Sequence, residues 1–248
     1  MFPIKDTVPS RSFPIVNWLL IAANLLVFVL VELPLGSRQL SRLVLTFGVV
    51  PAQCAAPFLT ARPTAALAAG RGLLAGCGLP LLSSMFLHGG WFHLISNLWA
   101  LYIFGDNVED RMGSGRYLVF YLFSGVVAGL TQVAADPVSQ VPAIGASGAI
   151  AGVLGAYLIL YPSARVITLV PLFFLPWFIE IPALVYLGVW FASQFLSGVA
   201  SLDVAAGGGV AYWAHIGGFV CGLVLVWVLA RPARRRSYRA FADEYRPW

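Results

Sequence analysis

Charge is what this sequence has least of. Only 10% of its 248 residues are Asp, Glu, Lys or Arg, against 60% hydrophobic. A water-soluble domain carries roughly a quarter charged residues, so the shortage excludes an ordinary soluble globular protein. The apolar surplus needs lipid as its solvent, and the chain reads as an integral, multi-pass membrane protein. Cysteine is scarce too. Cys54, Cys77 and Cys221 form no CxxC pair, which argues against a thiolate metal site. Histidine is limited to His88, His93 and His215, with no HExxH stretch. That removes the usual ligand set of a membrane zinc protease, and neither a metal nor a cofactor is expected. The net charge of +5 is carried by loops and chain ends. It reports orientation in the lipid bilayer, not binding to nucleic acid.

Long apolar runs are what the chain does have. A span needs about 20 such residues. Six runs qualify, over about 13–31, 91–108, 117–133, 144–161, 177–197 and 210–230. The first is too long for a signal peptide and lacks a small-x-small cleavage site, so an uncleaved span is expected. The expected fold is an all-α membrane protein, a bundle of six transmembrane helices. The chain divides into an N-terminal cytoplasmic segment (1–12), the six-span core (13–230) and a basic cytoplasmic tail (231–248). Within the core, the first loop (34–90) mixes arginines, prolines and short apolar pieces such as 79–87. These are too short to cross, and interfacial or re-entrant helices are expected there. An apolar, proline-broken piece covers 166–176.

Six spans put both termini on one side. The positive-inside rule places Lys5, Arg11, Arg111, Arg116, Arg165 and the tail in the cytoplasm. Arg38, Arg42, Arg62 and Arg71 fall in the long outer loop, where the rule acts weakly.

The stretch from Ala143 to Gly152 stands out. Ser147 is ringed by Gly145, Gly148 and Gly152 and follows a lead-in that contains Pro142. A serine among small residues can be a helix-packing residue; here it reads as a nucleophile. Ser147 lies about three residues into the fourth run from the outer side, roughly 5 Å at the helical rise. His215 lies about five residues into the sixth, roughly 8 Å deep. His93 and Asn97 lie near the start of the second run, one turn apart on one face. Four polar residues from three spans therefore share one shallow layer.

That layer has a chemistry. A serine hydroxyl needs a base to take its proton, and histidine is the usual one. Attack on a peptide carbonyl makes an oxyanion that needs fixed donors. The Asn97 amide, a His93 ring N–H and the Ser147 backbone N–H can supply them, although His93 and Asn97 also suit plain interhelical hydrogen bonding. Gly145 and Gly148 allow close backbone approach. Small residues around His215 (Ala214, Gly217, Gly218 and Gly222) allow the sixth span to pack tightly on the fourth. No acid is placed to complete a triad. Glu180 lies near the wrong end of the fifth run, and Asp136 and Asp203 fall in outer turns. The reading is a Ser147–His215 dyad.

Four motifs now carry a resemblance. They are His88-Gly-Gly-Trp-Phe-His93-Leu-Ile-Ser-Asn97, Glu109-Asp-Arg111-Met-Gly113-Ser-Gly115, Gly145-Ala-Ser147-Gly148 and Ala214-His215-Ile-Gly-Gly218. In this order and on these spans, the chain resembles the rhomboid intramembrane serine proteases. The resemblance implies a rhomboid-like six-helix bundle that cleaves the transmembrane segment of single-span membrane proteins near its outer end. Ser147 would be the nucleophile and His215 the base, with an oxyanion site from His93, Asn97 and the Ser147 N–H. His88 would support loop structure. Span five, with Trp190 and Phe191, would be the side through which substrate arrives from lipid. A bacterial plasma membrane fits the compact core.

Two departures stand beside the likeness. Many members carry an aromatic residue four positions after the nucleophile, stacked on the histidine; here it is Ala151, so something else must orient His215. Many carry a Trp-Arg pair in the first loop, which here has no tryptophan. Of the remaining residues, Glu109 and Arg111 are expected to cap the cytoplasmic turn and pair with each other. Cys54 and Cys77 share the outer loop, and the sequence leaves open whether they form a disulfide. The alternative function is a catalytically inactive rhomboid-like protein that binds membrane clients; such relatives typically lose the serine or histidine, and this chain keeps both.

Overall fold

The computed structural model describes residues 2–59, 74–172, 175–202 and 210–232. Arg62, Arg71, Asp203, the glycine run 207–209 and the tail from 233 lie outside the described residues. In chain order the elements are β1 (Phe2–Asp6), α1 (Ile15–Glu32), α2 (Ser37–Phe47), α3 (Pro51–Leu59), α4 (Gly76–Phe86) and α5 (Trp91–Ala100). Then come α6 (Ser114–Ala135), α7 (Ser147–Leu160), β2 (Arg165–Leu172), β3 (Leu175–Pro182), α8 (Ala183–Leu202) and α9 (Tyr212–Leu229). Helix α5 continues without a break through Leu101–Gly105 and Asp106–Met112. Among the described residues, four helices are long and apolar enough to cross a membrane: α1, α6, α8 and α9.

Helix α7 is the centre. Its residues are apolar all round, as a helix surrounded by protein requires, and Gly148 through Tyr157 are all buried. Glycine sets its closest contact. A Cβ at Gly218 or Gly222 of α9 would run into the Gly148 or Gly152 carbonyl of α7, and one at Gly155 would meet the Phe219 carbonyl. Two backbones touch along this seam, as small residues allow in a bundle without a hydrophobic drive between helices. The expected tight packing of the sixth run on the fourth is present, and it brings the starts of α7 and α9 side by side.

The described residues between α1 and α5 carry the short helices α2, α3 and α4, and they are stitched to the lead-in of α7. Val49 and Ala143 exchange backbone hydrogen bonds of 3.0 and 2.8 Å, Ala52 N–H donates to the Ser139 carbonyl at 2.9 Å, and Gly145 N–H donates to the Ser84 carbonyl at 2.9 Å. A disulfide joins Cys54 of α3 to Cys77 of α4, which settles the question the sequence left open.

Three expectations change. First, the chain is mostly helical but not all-α. Strands β1, β2 and β3 form an antiparallel sheet in that order, with Phe2 opposite Leu169 and Thr168 opposite Ile179. The reason is local: β-branched and aromatic residues predominate in 166–170 and 177–181, while Pro171, Pro176 and Pro182 oppose helix. The run at 177–197 therefore begins as a strand, and its helix starts at Ala183. Second, the fourth run is helical only from Ser147, because the backbone at Gly145 has φ of +120°, a conformation that helix excludes. Third, Glu109 does not pair with Arg111. The buried Glu109 carboxylate accepts from the Val16 and Asn17 backbone N–H groups (3.1 and 2.7 Å) and from Ser114 Oγ (2.6 Å). It thereby caps the start of α1, where N–H groups lack partners. Arg111 donates to the Arg231 carbonyl at 3.3 Å and lies 5.9 Å over the Tyr161 ring.

Candidate active site

Ser147 is the first residue of α7, not three residues into a helix. Its backbone N–H therefore has no intrahelical carbonyl to donate to. His215 is the fourth residue of α9. Because the glycine seam holds α7 and α9 together, Ser147 Oγ lies 2.8 Å from His215 Nε2, and both residues are half-buried. A hydroxyl in hydrogen-bond contact with an imidazole is the arrangement that turns serine into a nucleophile.

His93 and Asn97 come to the same place from α5. A Cβ at Gly145 would lie 2.5 Å from His93 Nε2 and 3.7 Å from Asn97 Nδ2, so both side chains lie against the backbone two residues before Ser147. Glycine is needed at 145 for space as well as for its φ. The Gly89 N–H donates to His93 Nδ1 at 3.2 Å, which leaves the proton of a neutral ring on Nε2, the nitrogen beside Gly145. Asn97 is buried, and its Nδ2 makes no hydrogen bond. A buried donor without a partner is costly and marks a place for an acceptor. Gly148, on the other flank, packs against Ala128.

His88 stands behind His93. The two rings meet edge to face with centroids 5.1 Å apart, and the His88 backbone N–H donates to both carboxylate oxygens of Glu32. His88 lies in the loop ahead of α5. Burial, reinforced by His93, pushes its ring down from 6.5 to about 4, so it stays neutral at physiological pH.

The sequence reading missed what touches His215 from α8. Gln194 Oε1 lies 2.7 Å from His215 Nδ1. The Trp190 ring lies 5.9 Å from the imidazole, tilted by 35°. One signal was available: Trp190 and Gln194 are four residues apart and so share a helical face. Glu180 is on β3, exposed, and pairs with Arg165 at 3.4 Å, well away from this site in the fold.

Residues 75–232 match the Rhomboid domain family. The chain belongs to the rhomboid family. Its relatives include the yeast Rhomboid protein 1, mitochondrial, from Saccharomyces cerevisiae, 29% identical over 65% of this chain and 44% of the relative. The Rhomboid protease GluP of Bacillus subtilis is 34% identical over 65% of this chain and 27% of its own length. The Rhomboid-like protein 11, chloroplastic, of Arabidopsis thaliana is 33% identical over 60% of this chain and 52% of its own. This rhomboid chain spans between about a quarter and a half of the length of these relatives. The matched region runs from α4 to just beyond α9 and contains His88, His93, Asn97, Ser147, Gln194 and His215.

Proposed function

We propose that this rhomboid is an intramembrane serine endopeptidase. It hydrolyses peptide bonds in or near the transmembrane segment of single-span membrane proteins. Ser147 attacks the scissile carbonyl while His215 takes its proton at Nε2 and later passes it to the leaving amine. The oxyanion is received by the Ser147 N–H, the Asn97 amide and His93 Nε2–H, with Gly145 and Gly148 leaving room for the substrate backbone and His88 supporting His93. The observation that carries the reading is the 2.8 Å contact between Ser147 Oγ and His215 Nε2.

The proposal includes a six-span core over 13–230. The four long helices support it, joined by the continuous helical segment 91–112 and by α7. Although α7 has only 14 residues, it is shielded from lipid by its neighbours. Both termini are placed in the cytoplasm, with 1–12 and the basic 231–248 segment there. A disulfide in the first loop fits an outer face that meets an oxidising compartment. A bacterial plasma membrane is the proposed location, in keeping with the Bacillus subtilis relative.

Labelling with a serine-directed fluorophosphonate tests the site without a known substrate. The label is expected on Ser147 and is expected to vanish in Ser147→Ala and His215→Ala. Labelling that survives either substitution would end the dyad assignment.

A further inference from the structure

We infer that Gln194 is the third member of the reacting group: a positioning residue that fixes the His215 proton on Nδ1 and ties the readiness of Ser147 to the placement of α8. The inference rests on the protease reading of Ser147 and His215, and it deepens that reading.

The hydrogen-bond chain settles the roles. Gln194 Nε2 donates to Ser193 Oγ at 3.1 Å, and Ser193 Oγ donates to the Trp190 carbonyl at 2.6 Å. With the amide nitrogen committed there, the atom facing His215 at 2.7 Å is the carbonyl oxygen Oε1. A carbonyl oxygen only accepts, so Nδ1 must carry the proton. The neutral ring then has a bare Nε2, the atom 2.8 Å from Ser147 Oγ, and that nitrogen accepts the serine proton. The opposite tautomer would leave two acceptors, Nδ1 and Oε1, facing each other, and a protonated Nε2 that cannot act as a base. When Nε2 takes the proton, the Nδ1–H···Oε1 bond becomes charge-assisted and strengthens. A neutral amide thus does part of what a triad carboxylate does: it selects the tautomer and aims the ring, without a full negative charge to stabilise the imidazolium. Trp190 braces the same ring, in place of the aromatic that Ala151 does not provide.

The location of Gln194 matters as much as its contact. Ser147 and His215 are on α7 and α9, whose backbones touch along the glycine seam. Gln194 and Trp190 are on α8, where Leu184, Val185, Val189, Phe195, Leu196 and Val199 are all exposed. Helix α8 is therefore fixed on one side only. If it moves away from α9, Ser147 and His215 stay adjacent, but the imidazole loses both its proton anchor and its brace. The pair is competent while α8 lies against α9.

The test uses the full chain in detergent with the fluorophosphonate as probe, and it follows labelling rate against pH for wild type, Gln194→Ala, Gln194→Leu and Gln194→Glu. Removing the acceptor is expected to slow labelling at neutral pH by at least about tenfold, a part of the 10²–10⁴ that general-base catalysis supplies. Glu restores the acceptor and adds charge, so its rate should recover with the acid limb moved to higher pH. Nitrogen-15 spectra of His215 give a readout apart from activity: a protonated Nδ1 in wild type, and a tautomer mixture in the Ala and Leu variants. Equal rates and an unchanged tautomer in every Gln194 variant would overturn the inference while leaving the protease reading intact. A wild-type chain that does not label at all would overturn that reading first, and this inference with it.

Discussion

The backbone N–H of His88 donates to both oxygens of the Glu32 carboxylate, at 3.1 and 3.0 Å. Glu32 ends α1 and is only 3% exposed. One buried carboxylate thus ties the end of the first long helix to the loop that carries His88, and through the ring contact to His93. Replacing Glu32 with Ala strands that N–H in a dry corner, a loss of about 1–3 kcal/mol. Glu32→Gln keeps an acceptor and should lose less. Thermal unfolding of both variants in detergent checks the order.

The same corner has a pH signature. The His88 ring is lowered from 6.5 to about 4, chiefly by burial, and it regains its ordinary value when the corner opens. A lowered folded value means the opened state binds more protons, so stability is complete above about 6.5 and is lost progressively as pH falls towards 4. The melting temperature should be flat above the upper limit and fall below it. His88→Phe, which cannot protonate, should flatten that fall; an identical slope would assign it to other groups.

Asn97 offers a donor without a recipient. Its Nδ2 makes no hydrogen bond in the resting protein, so Asn97→Ala takes none away from that nitrogen. Turnover of a single-span substrate should drop by about 10²-fold or more if the amide receives the oxyanion, with little change in melting temperature. A large loss of stability with unchanged turnover would make Asn97 a packing residue.

The disulfide closes a separation of 23 residues between Cys54 and Cys77. Loop-closure entropy gives such a link about 3 kcal/mol. Its partners brace the Val49–Ala143 bridge that leads to Ser147. Reduction, or Cys54→Ser with Cys77→Ser, should lower the melting temperature and slow fluorophosphonate labelling together.

The α7–α9 seam can be probed away from the site. Gly222 is two turns past His215, and a Cβ there would collide with the Gly152 carbonyl. Gly222→Ala should cost about 1–3 kcal/mol through overpacking and reduce labelling of Ser147 by prying the helices apart. Gly188→Ala on α8, where nothing lies within 4 Å of the added carbon, is the control and should do neither.

The candidate site was legible because its parts are short motifs with strong chemistry. Ser147, His215, His93 and Asn97 could be placed at one depth by counting residues along apolar runs, and the glycines at 218 and 222 announced the close packing that joins two of them. Gln194 was harder to read: its spacing from Trp190 puts the two on one helical face, but a lone glutamine in an apolar run carries no charge signal, and only the pairing of α8 with α9 makes it a partner of His215. The sheet was hidden for a related reason. An apolar run of β-branched residues between prolines looks the same to a hydropathy count whether it is strand or helix. The strand is favoured by pairing with residues 2–6, a long-range contact that no local window contains. Glu109 and Arg111 were paired by adjacency, whereas Glu109 faces the start of α1 and meets the Val16 and Asn17 amides.

The sheet also fixes an order of assembly. The strand partners of residues 2–6 lie at 166–169, so during synthesis this strand cannot join its sheet until β2 has been made. The segment from α1 to α7 has already been synthesised by then. Pairing of the strand therefore clasps the bundle late, drawing residues 2–6 against the hairpin that leads into α8.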